Sequence, residues 1–114
     1  MGWLRNWHDT DEPGADPDPL DLPLPPAEAL ARVESTVRGL PRWRVETSDP
    51  AAGTVTATRR TRLFRFTDDV AIRLEPIAGG TRVHVHSQSR VGKSDFGQNR
   101  RNVMELFAAL RRTG

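Results

Sequence analysis

The chain has 114 residues, 17 of them Lys or Arg and 15 Asp or Glu, which gives a formal net charge of +2. This length supports one domain with one hydrophobic core. The sequence contains no cysteine, which excludes disulfides, thiolate metal sites and cysteine nucleophiles. It also has no run of 18 apolar residues and no signal-peptide stretch at its N-terminus, so we expect a cytoplasmic protein without a transmembrane segment.

Charge is distributed unevenly along the chain. Residues 1–25 hold six acidic residues and one basic residue, whereas residues 26–114 hold sixteen basic and nine acidic residues. We therefore predict an extended, acidic, Pro-rich N-terminal arm over residues 1–25 and a single α+β domain over residues 26–114. A basic domain joined to an acidic arm indicates either an anionic partner or an arm that folds back onto its own domain.

The arm combines an extended stretch with a hydrophobic cluster. Residues 9–26 are rich in Pro, Asp and Gly, which predicts a polyproline-like chain with few internal hydrogen bonds. Upstream, Trp3, Leu4 and Trp7 cluster at near-helical spacing. These side chains either pack on the core of the domain or anchor a partner protein or a membrane surface, because exposed tryptophans are costly to leave in water.

A first helix is predicted from Pro25-Pro26 to about Arg38, since proline is preferred at the first helical position. Its apolar residues recur at helical spacing and are Ala27, Leu30, Val33 and Val37. Gly39, followed by Leu40-Pro41, predicts that the helix ends at a glycine in the left-handed conformation.

The following residues alternate between apolar and polar side chains, which predicts four or five antiparallel strands. The strand signals cover residues 42–46, 55–60, 63–66, 70–75 and 82–90. Turns are predicted at Asp49–Gly53 and at Ala78–Gly80. The polar stretch Thr67–Asp69 is predicted to interrupt the sheet as a turn or bulge.

The last helix is predicted to begin near Asp95, because Asp95 and Gln98 fit a capping box with an acid in place of Ser or Thr. Its apolar face consists of Val103, Leu106, Phe107 and Leu110. The element order predicts a two-layer α+β fold. An antiparallel meander sheet of four or five strands carries an N-terminal and a C-terminal helix on one face.

The strand-to-helix junction from Ser87 to Val103 has an unusual composition, with hydroxyls, two glycines, an aspartate and four cations. A helix N-terminus offers free N–H groups and partial positive charge, so the junction could bind a phosphate or carboxylate. The candidate residues for an anion site are Arg90, Lys93, Ser94, Asn99, Arg100 and Arg101. The alternative is a structural latch in which Asp95 caps the helix, while Arg90 and Arg100 pair with Asp68, Asp69 or the arm.

Two enzyme motifs are excluded by position. Gly92-Lys93-Ser94 resembles the end of a P-loop, but Ser87 stands where that motif requires its first glycine. Asp68 and Asp69 are neighbours on a strand and face opposite ways, so their carboxylates do not converge as an acid/base pair. We expect one of them to pair with an arginine such as Arg62 or Arg73.

The histidines and serines give weaker signals. His84 and His86 share one strand face and could share a metal, but a third ligand is not evident, so we predict solvent-facing histidines. Neither Ser87 nor Ser89 lies in a Gly-x-Ser-x-Gly elbow. The sequence therefore predicts no catalytic residues, no metal and no cofactor.

Two blocks, Leu63–Arg73 and Ser87–Arg101, resemble the domain-of-unknown-function 1499 family over about residues 24–112. The second block carries the more specific pattern, Arg-x-Gly-x-Ser-Asp-x-Gly-x-Asn-Arg. The resemblance implies a small α+β domain and no particular reaction. Its matching positions are Phe66, Asp68, Asp69, Arg73, Ser87, Ser89, Arg90, Gly92, Ser94, Asp95, Asn99 and Arg100. Those that we interpret as a structural motif are Asp68, Asp69, Arg73, Ser87, Ser89, Gly92 and Asp95.

The charge distribution and the missing catalytic constellation favour a small non-catalytic binding or accessory module. Its arm would dock on a partner protein through Trp3, Leu4 and Trp7, and the tryptophans could also contact a membrane surface peripherally. One alternative is a small-anion or phosphoester-binding protein or enzyme with its site at residues 87–101. A further alternative, nucleic-acid binding by the basic domain, lacks the exposed aromatic platform of an RNA-binding sheet.

Overall fold

The computed structural model describes residues 17–60, 66–90 and 97–113. Their elements are, in chain order, β1 (Leu20–Leu22), α1 (Pro26–Gly39), β2 (Trp43–Asp49), β3 (Thr54–Arg60), β4 (Thr67–Ile77), β5 (Gly80–Ser89) and α2 (Gln98–Thr113). The strands form one antiparallel sheet in the order β1-β5-β4-β3-β2. Both helices pack against it and against each other. This arrangement confirms the predicted α+β fold. Among the described residues, no helix is long and apolar enough to cross a bilayer.

The core lies between the helices and one face of the sheet. Val55, Ile72 and Val85 stand opposite one another on β3, β4 and β5 and are 0–4% exposed. The helix layer that closes over them contributes Val33 and Val37 from α1 and Leu106, Phe107 and Leu110 from α2. The apolar residues that alternate along the strands and those at helical spacing therefore pack together in a single hydrophobic layer.

Helix α1 begins where the prolines predict, with Pro25 as its N-cap. Ala29 is buried whereas Ala27 is exposed, so the buried face starts two residues later than predicted. The expected left-handed Gly39 is wrong. Leu40 leaves the helix in an extended conformation and its N–H bonds to the Val37 carbonyl, so the helix end needs no left-handed residue. The chain turns instead at Arg42, where φ is 69°.

Both predicted glycine turns are confirmed. The Gly53 N–H donates to the Asp49 carbonyl at 2.9 Å, and Gly53 has a φ of 70°. In the β4–β5 hairpin, Ile77 pairs with Gly80 and Gly79 has a φ of 83°. Such positive φ values suit glycine because it has no Cβ to clash with its own backbone.

The interruption predicted at Thr67–Asp69 is wrong, because these residues form the regular start of β4. Thr67 pairs with Arg60, and Asp68 pairs with Arg59 on one side and Ser89 on the other. Aspartate is depleted in strands. The hydrogen-bond partners that stabilise the aspartates of β4 lie elsewhere in the fold. The predicted strand at residues 63–66 falls mostly outside the described residues.

Helix α2 begins at Gln98, three residues after its predicted start near Asp95. The Arg101 N–H donates to the Gly97 carbonyl at 3.0 Å, so Gly97 directly precedes the helix, with a φ of 87°. Gln98 therefore opens the helix instead of occupying the third position that a capping box requires. Asp95 itself lies outside the described residues.

Strand β1 lies within the segment that the sequence assigned to the extended arm. Leu20 pairs with Val83 and Leu22 with Thr81, and Leu22 is only 6% exposed in the core. The Thr81 hydroxyl donates to the Leu24 carbonyl at 2.7 Å. The arm is therefore joined to the sheet edge from Leu20 onward, directly after Pro19, which has no N–H to donate to a ladder.

An exposed ion pair links β1 to β5. The Arg82 guanidinium donates two hydrogen bonds to the Asp21 carboxylate, at 2.8 and 3.2 Å. These bonds lower the pKa of the Asp21 carboxyl below its ordinary value of 3.8 and raise the pKa of Arg82. The pair adds a charge-assisted contact to a strand that has only three residues.

We predict that Gly80→Ala displaces β1. A Cβ on Gly80 would lie against the Leu22 carbonyl oxygen and within 3.2 Å of the Pro23 Cα. Relieving this overlap requires a backbone shift, and we expect a loss of about 1–3 kcal/mol in the free energy of unfolding, measured by urea titration. Gly39→Ala is the matched control, since its Cβ meets nothing within 4 Å. Equal unfolding midpoints for the two variants would contradict this role of Gly80.

Asp21→Asn should reduce the pH dependence of stability in acid. Because the folded pKa of Asp21 is lowered, its stabilising contribution is present above pH 3.8 and disappears as the pH falls through the folded pKa. The midpoints of wild type and variant, measured in urea from pH 7 to pH 2, should therefore differ most near neutrality and converge in strong acid. Asp18→Asn, which changes an exposed carboxylate before β1, is the control. A constant difference across this range would refute the assignment.

Candidate functional site

The helix-facing side of the sheet ends in a row of polar residues. The strand register places Trp43 opposite Arg59, Arg59 opposite Asp68 and Asp68 opposite Ser89. We call these four residues the polar row. Ser87 lies two positions before Ser89 and therefore faces the same side of the sheet. The row begins where the hydrophobic layer ends, and α2 crosses over it.

Asn102 of α2 is the centre of a buried hydrogen-bond network. Its Nδ2 donates to Asp68 Oδ2 at 2.8 Å and to Ser87 Oγ at 3.1 Å, and its Oδ1 accepts from Gln98 Nε2 at 2.7 Å. Asn102, Asp68 and Ser87 are 0%, 2% and 4% exposed. Burial of such groups is tolerated only where they are hydrogen-bonded, so the Asn102 amide stabilises the buried junction.

Ser87 is not arranged as a nucleophile. Its hydroxyl donates to Asn99 Oδ1 at 2.6 Å while its oxygen accepts from Asn102. An activated serine gives its proton to a base such as histidine, whereas an amide oxygen cannot take that proton. The contact therefore fastens β5 to the first turn of α2.

Glu105 forms the second connection between α2 and the polar row. Its Oε1 accepts from Trp43 Nε1 and from Arg59 Nε, both at 2.9 Å. The Arg59 side chain is 12% exposed, so this ion pair is largely shielded from water. The result is a contact between one helix and the first residues of β2 and the last residues of β3.

Sequence reasoning missed Arg59, Asn102 and Glu105. Two signals could have found the helical residues. Asn102 stands four positions before Leu106, on the apolar spacing of α2, and Glu105 is the only acidic residue of that helix. A polar residue at a buried spacing and an isolated acid in a basic helix both indicate partners elsewhere in the fold.

On the second face of the sheet, Arg90 holds Asp69. The Arg90 Nε and Nη2 contact the Asp69 carboxylate at 3.0–3.1 Å, and the Arg90 N–H donates to the Thr67 carbonyl at 3.2 Å. The hydrogen bonds from Asp69 raise the pKa of Arg90. The expectation that Asp68 or Asp69 pairs with an arginine such as Arg62 or Arg73 stays a prediction, since Arg62 lies outside the described residues. The pair of Arg90 with Asp69 is one of those that the latch interpretation gives to Arg90.

The other predicted site residues are distributed over several surfaces. Arg100 is exposed on α2, and Arg101 Nη2 donates to Gln98 Oε1 at 3.2 Å. Arg73 and Ser89 are half-buried. Several predicted residues lie outside the described residues, and the roles given to them stay predictions: Trp3, Leu4, Trp7, Gly92, Lys93, Ser94 and Asp95.

The two strand histidines differ from the expectation that both face solvent. His84 is 8% exposed and its Nε2 lies 2.8 Å from Glu75 Oε1, since a neighbouring strand brings the carboxylate against the ring. This hydrogen bond lowers the pKa of Glu75. His86 is half-buried. Within the described ranges, no group of three or more His, Cys, Asp or Glu side chains could hold a metal ion.

The outward side of α2 is cationic. Arg100, Arg111 and Arg112 are exposed, and within residues 17–60, 66–90 and 97–113 no ion pair joins them to a carboxylate. Met104, 45% exposed, lies four residues after Arg100 and seven before Arg111, which places all three on one side of the helix. We call these four residues the cationic face. The helix thus binds the sheet with one side and presents positive charge with the other.

These features define a class of protein: a two-layer α+β domain with a one-sided antiparallel sheet and a polar junction under its C-terminal helix. The chain belongs to the family described as Protein of unknown function (DUF1499), whose model matches residues 6–110. This confirms the resemblance seen in the sequence, and the match extends into the arm. A comparison with curated proteins found no match.

We predict that Asn102→Ala destabilises the fold. The substitution leaves the buried Asp68 carboxyl group and the Ser87 hydroxyl without their shared donor, which costs about 1–3 kcal/mol and more if the group is charged. The loss is measured as the change in unfolding free energy in urea. Met104→Ala, on the exposed side of the same helix, should change it by no more than about 0.5 kcal/mol. A similarly small change for Asn102→Ala would show that the network does not hold α2.

Proposed function

We propose that this protein is a small non-catalytic binding module that docks on a protein partner through the cationic face of α2 and its N-terminal arm. One observation carries the proposal, namely the division of α2 into two sides. Its inward polar residues, Asn102 and Glu105, bind the sheet, and its outward arginines are exposed. Charge on a rigid helix that no carboxylate of the described residues pairs with is available for recognition.

The contacts at the junction support a structural role for the residues with the most reactive chemistry. Asp68, Ser87 and Asn99 make hydrogen bonds with side chains of the fold, in a place where Asp68 and Ser87 are almost fully buried. A catalytic group needs access to the atom on which it acts. The junction is therefore better suited to fixing α2 than to chemistry on a substrate.

The chemistry of the cationic face supports an acidic protein surface as the ligand. Arginine and methionine are both enriched at protein interfaces, arginine because its planar fork binds carboxylates with two hydrogen bonds. The unbranched Met104 side chain adapts to differently shaped partners. Charge complementarity of this kind contributes mainly to specificity and to the rate of association.

The arm supplies the second half of the proposal. Trp3 and Trp7, which flank Leu4, are of a residue type that is enriched at the centre of interfaces, where a few large side chains contribute most of the binding energy. The arm meets the domain at β1, so a partner held by both elements would be bound at two linked points. Linked contacts raise the overall affinity above that of either contact alone.

The proposal can be tested by affinity capture with chemical cross-linking from a lysate of the source organism. Wild type is compared with R100E/R111E/R112E and with R38E/R44E/R60E, which reverses three exposed arginines outside α2 and makes the same change in net charge. A fourth bait lacks residues 2–8, which hold Trp3, Leu4 and Trp7, and keeps the acidic residues 9–18 and β1. We expect one protein to be captured by wild type and by the control, with about tenfold less in the α2 variant and in the truncated chain.

Tenfold weaker capture corresponds to about 1.4 kcal/mol of binding free energy. Circular dichroism and urea midpoints of all baits establish that the variants are folded. Equal capture by the α2 variant, or a wild-type chain that enriches no protein over the untagged background, would refute the proposal.

A further inference from the structure

We infer that the acidic part of the arm, residues 9–18, lies along the cationic face of α2 in the same chain. The inference deepens the proposed function, on which it rests, because it names what covers that surface before a partner binds. Three observations carry it: the opposite charges of the two segments, the direction in which the chain enters β1, and the length of chain available.

The charges of the two segments are complementary. Residues 9–18 contain five acidic residues and no basic residue: Asp9, Asp11, Glu12, Asp16 and Asp18. The outward side of α2 presents Arg100, Arg111 and Arg112, and the one acidic residue of the helix, Glu105, is held against the sheet by Trp43 and Arg59. Electrostatic attraction between these segments is therefore not offset by like charges on either one.

The strand register directs the arm toward α2. β1 runs antiparallel to β5, with Leu22 opposite Thr81 and Leu20 opposite Val83. The chain that precedes Leu20 is thus directed toward the Ser87 end of β5. At that end, Ser87 is hydrogen-bonded to Asn99 and Asn102 of α2. The arm would therefore reach the sheet beside the first turns of the helix.

The length of the acidic segment matches the length of the cationic face. Arg100 and Arg112 are twelve residues apart on a helix, which corresponds to about 18 Å at 1.5 Å per residue. Residues 9–16 in an extended conformation can span up to about 26 Å. Pro13, Pro17 and Pro19 favour an extended chain over a helix. The segment can therefore follow the face from one end to the other.

The covalent tether favours the chain's own arm over other acidic occupants. Single exposed ion pairs are weak and sensitive to salt. A short tether, however, makes the contact intramolecular, with an effective concentration on the order of millimolar. An external partner must then displace the acidic segment, so the arm would act as a competitor that lowers non-specific binding of other anions to α2.

The absence of cysteine from the 114 residues allows a direct test on this chain. A nitroxide spin label is attached to Thr10→Cys, and paramagnetic broadening of amide signals is recorded by NMR on the isotopically labelled chain. We expect broadening along α2 in low salt and its loss in 1 M salt, where the screening length falls to about 3 Å. The control label at Ala51→Cys, in the β2–β3 turn, should broaden its own hairpin equally in low and in high salt, because the fold fixes the position of this turn.

Charge reversal makes the test specific. In the Thr10→Cys background, R100E/R111E/R112E should abolish the broadening of α2, and R38E/R44E/R60E should preserve it. Broadening confined to another surface, no broadening of α2, or broadening that survives reversal of its arginines would each overturn the inference.

The arm of a second copy is the remaining possible occupant of the cationic face. It is tested with a mixture of two chains, one carrying the spin label without isotopic enrichment and the other isotopically enriched without the spin label. Broadening of α2 in this mixture would show that the arm of a second copy occupies the face, and would overturn the assignment to the same chain. These measurements use the protein alone. A negative result would therefore leave the capture experiment unaffected, whereas failure of capture with positive broadening would contradict the proposed function alone.

Discussion

The rest of the structure depends on the burial of Asp68 at the end of the sheet. A carboxyl group that is 2% exposed must have a partner, and Asn102 of α2 supplies it. This bond fixes the position of α2 along its own axis. Once Asn102 lies over Asp68, Glu105 is one turn further and reaches Arg59, while the apolar residues of the helix face the hydrophobic layer. The position of α2 therefore determines both its contacts with the polar row and the packing of its apolar residues in the core.

The same placement decides what the protein presents to its surroundings. A helix whose inner polar residues are used by the sheet has only its outer residues left for recognition, and in α2 these are arginines around Met104. The inward polar residues of α2 are hydrogen-bonded within the fold, whereas its outward residues are charged. This difference is the basis of the proposed binding role. At the junction, the polar side chains of the sheet and of α2 are hydrogen-bonded to one another. This supports a role for them in holding α2 against the sheet.

Strand β1 connects the acidic arm to this arrangement. It is short, and it depends on Gly80, where a side chain would collide with Leu22, and on the ion pair between Asp21 and Arg82. These contacts hold β1 antiparallel to β5, so the chain just before Leu20 lies toward the Ser87 end of β5. The sequence shows an acidic arm and a basic helix, and the position of β1 relates the two in space. The proposed contact between arm and helix is based on this relation.

The sequence by itself determined the features that depend on nearby residues. The prolines before α1, the glycines of the two hairpin turns and the alternation of the strands all act within a few positions, so the α+β fold could be predicted. Tertiary structure decided the rest. Asp68 remains in a strand because Asn102, 34 positions away, satisfies it, and β1 exists because β5 accepts it across about sixty positions. Such partners leave no local pattern, since their hydrogen bonds form only when distant segments are packed together.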